Sequence, residues 1–353
     1  MASQTFSQQC FQAGVAETPT DDGLFLALSP MDGFTDAVFR ELITSVPCAA
    51  PDCGRHGGSP VSMCTTEFFR VIDAPPCEET IVAGYPEVRR GGRTRTGVLV
   101  VPQVMGSEAA LVAETAARLV ALGAPGVDLN FGCPVKAVNQ KQAGAALLKE
   151  PKRIESICRA VRGAIGSGAT LSVKTRLGWD GRDALPELAK RIEGAGVDWL
   201  TIHGRTRRDG YRGEADWSGI ALARTAVSVP VVANGDLTRM AQLGACAQQS
   251  GCRAFAIGRG VLGRPGLFHQ LRGGRPPGND HALLAATLQT YAQALLEGGM
   301  RERGVVNRVR HWLRLIPLPD QGVTRWARAL TPQSDADELR QLLDPTRPLP
   351  ATA

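Results

Sequence analysis

The chain has 353 residues, 43% of them hydrophobic and 21% charged, enough apolar content for one large core plus a smaller unit and too polar for an integral membrane protein. No apolar run reaches the roughly 18–20 residues that span a bilayer, and residues 1–23 contain no Lys or Arg to open a signal peptide, so a cytoplasmic protein without membrane contact is expected. The net charge of +6 is modest but uneven: seven arginines between Arg301 and Arg328 face only Glu302 and Asp320, which suits a polyanionic partner.

Residues 1–23 are rich in Gln, Ser, Thr and Asp without apolar periodicity and read as a disordered extension. From there short apolar or β-branched runs alternate with amphipathic stretches, as parallel strands do with crossover helices. The runs lie near Leu24–Leu28, Val61–Thr65, Val98–Gln103, Gly126–Asn130, Thr170–Thr175, Asp198–Ile202, Val229–Ala233 and Ala254–Ile257. Eight such units predict an α/β chain folded as a (β/α)₈ TIM barrel over residues 24–270. An open doubly wound sheet competes, but Ser29-Pro30-Met31-Asp32-Gly33 stands where its Gly-rich fingerprint belongs. Gly and Pro between Arg272 and Asn279 predict a linker over 271–280. Helical patterns at His281–Glu297, Val305–Leu315 and Asp335–Leu343 predict a C-terminal all-helical domain over 281–345 that carries the arginines.

In a barrel of this kind chemistry sits at the C-terminal ends of the strands. Those ends read Pro30-Met31-Asp32-Gly33, Gln103, Asn130 to Pro134, Lys174 to Arg176, His203 to Thr206, Asn234-Gly235-Asp236 and Gly258-Arg259-Gly260. A ring of this polarity suits a phosphorylated, ring-shaped cofactor. The glycine turns at Asn234-Gly235 and Gly258-Arg259 offer backbone N–H groups to a phosphate, with Lys174 and His203 adding charge and hydrogen bonds. Any one of these glycines is read more simply as a tight turn, but the set in register is not.

Nine cysteines in a long chain argue for reduced thiols, and eight of them read as small buried hydrophobes. Cys133 differs, because Gly132 and Pro134 place it on a rigid turn after a strand, where it can serve as nucleophile, metal ligand or general acid. Cys48, Cys53, His56, Cys64 and Cys77 lack the paired spacing of a structural zinc site, and no metal is expected. Trp179, Trp199, Trp217, Trp312 and Trp326 suit a core or interface better than a base-stacking platform, although Trp312 and Trp326 lie among arginines.

Six motifs in order make the chain resemble the tRNA-dihydrouridine synthases from Leu24 to about Leu343. They are Ala27-Leu-Ser-Pro-Met-Asp-Gly-Phe-Thr-Asp36, Gly126-Val-Asp-Leu-Asn-Phe-Gly-Cys-Pro134, Ser172-Val-Lys-Thr-Arg-Leu-Gly178, His203-Gly-Arg-Thr206, Asn234-Gly-Asp236 and Ile257-Gly-Arg259. Thr66-Glu-Phe-Phe-Arg70 and Asn307-Arg-Val-Arg-His-Trp312 are similar to the bacterial C subfamily, which modifies nucleotide 16 of the tRNA D loop. The resemblance implies FMN held by Pro30, Met31, Asp32, Gln103, Lys174, His203, Asn234, Gly235, Asp236, Gly258 and Arg259, with NADPH as reductant and Cys133 as general acid. It implies tRNA contacts by Arg70, Asn130, Arg176, Tyr211, Arg308, Arg310 and Arg328, Asn130 orienting the base. A monomer is expected. The extension over 1–23, the Pro47–Pro60 insertion, Asp32 in place of a Glu and Leu315 in place of an aromatic depart from the pattern.

Three other readings compete: a flavin barrel enzyme acting on a free pyrimidine, a Schiff-base lyase using Lys174, and a tRNA-binding protein without catalysis. The basic tail opposes the first, flavin colour separates the second, and an intact Cys133 opposes the third.

Overall fold

The computed structural model describes residues 24–47, 59–135, 142–274, 276, 278–317 and 321–344. The predicted extension over 1–23, and Cys10, Cys48, Cys53 and His56, lie outside these residues. Eight parallel strands close into a barrel in chain order: β1 (Phe25–Leu28), β2 (Met63–Arg70), β3 (Leu99–Met105), β4 (Gly126–Asn130), β5 (Thr170–Arg176), β6 (Trp199–His203), β7 (Val231–Asn234) and β8 (Ala254–Ile257). The barrel helices are α1 (Ala37–Thr44), α2 (Glu78–Gly84), α3 (Ala109–Ala121), α4 (Pro151–Ile165), α5 (Leu185–Gly194), α6 (Trp217–Arg224), α7 (Met240–Ser250), α8 (Gly260–Gly263) and α9 (Leu267–Leu271). This is the predicted α/β barrel, with helices α10 (Asp280–Glu297), α11 (Glu302–Leu315), α12 (Gln321–Ala329) and α13 (Ala336–Leu342) after it. Among the described residues no helix is long and apolar enough to cross a membrane.

Strand side chains alternate between two cores. Phe25, Ala27, Met63, Leu99, Val101, Trp199, Val232, Ala254 and Ala256 meet inside the barrel, whereas Leu26, Leu28, Val127, Leu129, Leu171, Val173, Leu200 and Ile202 pack under the surrounding helices. Continuing the inner parity toward the C-terminal ends brings Gln103, Asn130, Lys174, Arg176, His203 and Asn234 to the mouth. The interior is thus apolar below and polar above, and this gradient is what creates a site.

The second strand runs five residues past its predicted end at Thr65. A bulge between Thr65 and Phe68 shifts its register against β3, and Thr66 Oγ1 accepts from Gln103 N at 3.0 Å in place of a ladder carbonyl. The shift turns Phe68 rather than Glu67 toward the mouth. At the start of β4, Gly126 lies so close to β5 that a Cβ there would overlap the carbonyl oxygen and Oγ1 of Thr170. Gly126→Ala is expected to destabilise the chain by about 1–3 kcal/mol, read as a lower urea midpoint at constant m-value. An unshifted midpoint would show that the two strands separate freely.

Helices α10 and α11 dock on the β1–α1 corner. Trp312 is fully buried, donates Nε1–H to Leu262 O at 2.7 Å and meets Phe39 and Tyr291 at centroid distances of 4.9 and 5.1 Å. Trp326 is also buried and stacks on His281 at 4.2 Å, so both tryptophans are packing residues. Asp36 caps α1 through Phe39 N and accepts from Tyr291 Oη at 3.0 Å, tying α1 to α10. Among the described cysteines, Cys64, Cys133, Cys158, Cys246 and Cys252 are buried and Cys77 is exposed. The exposed Cys77 corrects its reading as a buried hydrophobe: it stands at the N-cap of α2, where the chain leaves the core.

Candidate active site

The barrel mouth opens into a cavity of ≈ 370 Å³, inside the range of roughly 300–1,000 Å³ typical of small-molecule sites. Every predicted cofactor residue lines it: Pro30, Met31, Asp32, Gln103, Lys174, His203, Asn234, Gly235, Asp236, Gly258 and Arg259. So do Cys133, Asn130, Arg176 and Tyr211. Phe68, Thr238, His311, Leu315 and Pro317 join them without having been read as site residues. Phe68 was hidden by the bulge, and the last three come from a segment distant in sequence.

A chain of buried hydrogen bonds fixes the Cys133 turn. Asp128 accepts from Ser172 Oγ at 2.5 Å and from Gln103 Nε2 at 2.6 Å. Gln103 Oε1 accepts from Asn130 Nδ2 at 2.8 Å, and Asn130 Oδ1 accepts from the backbone N–H groups of Gly132 and Cys133, both at 2.9 Å. Both lone pairs of the Asn130 oxygen are therefore committed to the turn, which leaves one amide N–H for a ligand. Burial pushes the Cys133 thiol above the ordinary range, with Arg176 and Lys174 pulling the other way. At neutral pH it is a protonated thiol and not a thiolate.

Burial, then Arg176, pushes Lys174 down to about 8, whereas Asp128 favours its charged form. His203 is held well below its usual value, first by burial and then by the cations Lys174, Arg176, Arg205 and Arg259. It is neutral at pH 7, which corrects the expectation that it supplies charge: four cations around one buried imidazole leave no room for a fifth. Its Nδ1 is buried without a hydrogen-bond partner among the described residues, an orphan that a polar ligand atom would satisfy.

The Asn234-Gly235-Asp236 turn is shaped for close approach. Gly235 has φ +121°, and a Cβ there would come within 2.9 Å of Ala215 Cβ. Asp236 lines the cavity, but its carboxylate is bound by Arg205 at 3.0 and 2.6 Å and by Ala215 N at 2.8 Å. Tyr211, 57% exposed, lies under Arg259 at 4.7 Å and Arg176 at 5.3 Å. Arg176 spends its guanidinium on the carbonyls of Gly132, Thr206 and Gly210.

The remaining candidate RNA residues lie away from the cavity. Arg70 and Arg328 are exposed. Arg308 bonds Gly33 O and pairs with Asp36 at 3.2 Å, joining α11 to the barrel. Arg310 donates to Leu330 O at 3.0 Å and Asn307 Oδ1 at 3.2 Å. From the same helix His311 reaches the mouth, its ring 4.8 Å from Phe34.

A family model described as dihydrouridine synthase (Dus) matches residues 27–347. The chain is 36% identical over 296 residues to the tRNA-dihydrouridine(16) synthase of Pseudomonas putida, covering 82% of this chain and 87% of that one. It is 38% identical over 291 residues to the tRNA-dihydrouridine(16) synthase of Salmonella typhimurium, covering 81% and 88%. A solved 2-naphthoyl-CoA reductase in complex with 2-naphthoyl-CoA superposes with a TM-score of 0.51 at 12% identity, over 73% of this chain and 51% of that one, a likeness of fold alone.

Proposed function

Because the chain belongs to the dihydrouridine synthase family, we propose that it reduces a tRNA uridine, at position 16 of the D loop, to 5,6-dihydrouridine. The observation that carries the chemistry is a protonated thiol, Cys133, on a turn locked by Asn130, at the edge of a cavity with Lys174, Arg176 and neutral His203. FMN suits the cavity: the orphaned His203 Nδ1 offers a partner to a polar ligand atom, Gly235 and Gly258 line the wall, and the cations Lys174 and Arg259 favour a phosphate. Pro30, Met31, Asp32, Gln103, Asn234 and Asp236 would complete its binding site. The chemistry such a cofactor would supply there, once reduced by NADPH, is a hydride for C6 of the uracil.

The protein supplies the rest. Cys133 donates its proton to C5 as the C5–C6 double bond takes up the hydride, so the base gains one hydride and one proton. The thiolate left behind is favoured by Arg176 and Lys174, the same cations that oppose the thiol's raised pKa at rest. Asn130 holds the turn and offers its free N–H to the base. A stacked uracil must first leave the RNA at a cost of a few kcal/mol, offset by contacts elsewhere on the tRNA. We assign those contacts to a helical unit over 281–345, through Arg310, Arg328 and, across the junction, Arg308, with Arg70 and Tyr211 on the barrel.

The test is nucleotide-resolved mapping of dihydrouridine in tRNA from cells lacking the protein, with and without its return. Loss at position 16 alone, restored by the returned gene, is expected. Loss at another D-loop position would overturn the position, and no loss anywhere would overturn the reaction. A colourless protein that traps a carbonyl substrate under borohydride would favour Lys174 as a Schiff base instead.

A further inference from the structure

The helical segment covers the mouth above β8 and β1, through Trp312 on Leu262 and Arg308 on Gly33. In a closed barrel of eight strands in chain order, the far rim follows β4, β5 and β6. There the 3₁₀ turn Gly144–Lys149, the loop after β5 and the loop after β6 converge on Trp179. Lys149 Nζ stands 3.9 Å from the Trp179 ring centroid and Arg207 Cζ 4.5 Å from it. Two cations thus share one indole.

Neither cation has a carboxylate partner among the described residues. The acids nearby in sequence are already engaged: Asp180 pairs with Arg208 at 3.0 Å, Glu150 with Arg153 at 3.6 Å, and Asp209 accepts from Thr206 N and Oγ1 at 2.8 and 2.7 Å. Arg207 Nε is buried with its hydrogen-bonding capacity unused. Each cation–π contact contributes only about 0.5–1 kcal/mol at a solvated site, and the two charges repel each other. An anion placed at both relieves the repulsion, while the indole limits the ordering these long side chains must undergo.

We propose that Lys149, Trp179 and Arg207 form a second RNA-contacting rim that takes backbone phosphates of the tRNA strand on the side of the mouth away from the helical segment. The proposal rests on the reading of tRNA as substrate and adds to it how the strand is held from both sides. A nucleotide drawn into the cavity between two anchored phosphate tracks is extruded with less slack than one held from a single side.

The test uses full-length, flavin-loaded protein and an unmodified tRNA transcript, with the dissociation constant measured across salt concentrations. Neutralising two phosphate contacts, as in Lys149→Ala/Arg207→Ala, is expected to weaken binding about tenfold near physiological salt and to lower the slope of log K against log salt by about 1.5. KM for tRNA should rise by more than kcat falls. The charge-preserving pair Lys149→Arg/Arg207→Lys should keep the parental slope, which a merely structural effect would not. Unchanged affinity and slope in the Ala pair, with the parent binding normally, would overturn the rim alone. A parent that binds no tRNA would overturn the rim and the substrate reading together, and a parent that binds tRNA but forms no dihydrouridine would overturn only the reaction.

Discussion

Cys133→Ala is expected to lower dihydrouridine formation by about 10²–10⁴-fold, the usual contribution of a positioned general acid, while leaving flavin content and tRNA affinity at parental levels. The selectivity follows from geometry. Cys133 is 9% exposed and clusters with Met105 and Ala143, with Phe68 packed against the group, so loss of one sulfur leaves a small void at the edge of the mouth and disturbs no strand. Its backbone N–H stays on Asn130 Oδ1 whatever the side chain. Single-turnover reduction of the tRNA base, followed by flavin reoxidation, is the measurement. A parental single-turnover rate in the Ala variant would remove the thiol from the proton transfer, and a parallel loss of flavin would assign it a structural role instead.

The largest stability effect is expected at Arg40 and Glu87, both wholly buried. Arg40 Nε and Nη2 meet the two Glu87 oxygens at 2.8 and 2.7 Å, and the remaining donors take Thr35 O and Gly84 O. The pair pins α1 to the 3₁₀ turn Pro86–Arg90. Arg40→Ala leaves a carboxylate in the interior with no counter-charge, and about 3–5 kcal/mol of unfolding free energy should be lost in urea titration. Arg40→Met/Glu87→Leu should recover part of that loss, since no charge is stranded, but not all of it, because Thr35 O and Gly84 O lose their donor. A single variant within 1 kcal/mol of the parent would show that water or a neighbour reaches Glu87.

Some of this was legible in the chain and some was not, for physical reasons. β4 and β8 coincide with the sequence runs Gly126–Asn130 and Ala254–Ile257, the first closed by Gly132 and Pro134 and the second by Gly258-Arg259. β2 was cut short because its continuation through Glu67 to Arg70 is a bulged, partly polar strand that no period-two pattern describes. Helix α12 was not read at all: Gly322 and two flanking arginines mask its apolar stripe of Val323 and Trp326. Most of the site was legible, since residues at strand ends must face the mouth once the barrel is granted. What no local pattern carries is partnership. Arg308 reads as one of seven loose cations until Asp36, far away in the chain, is seen beside it, and the neutrality of His203 needs its burial together with cations from β5, from its own loop and from the turn after β8.

His311, Leu315 and Pro317 are the part of the cavity wall that comes from beyond the barrel; the first two ride on α11, the helix that also bears Arg308 and Arg310, and Pro317 follows its end. Handle and jaw are therefore one rod: a displacement of α11 that carries Arg308 and Arg310 carries His311 and Leu315 with it.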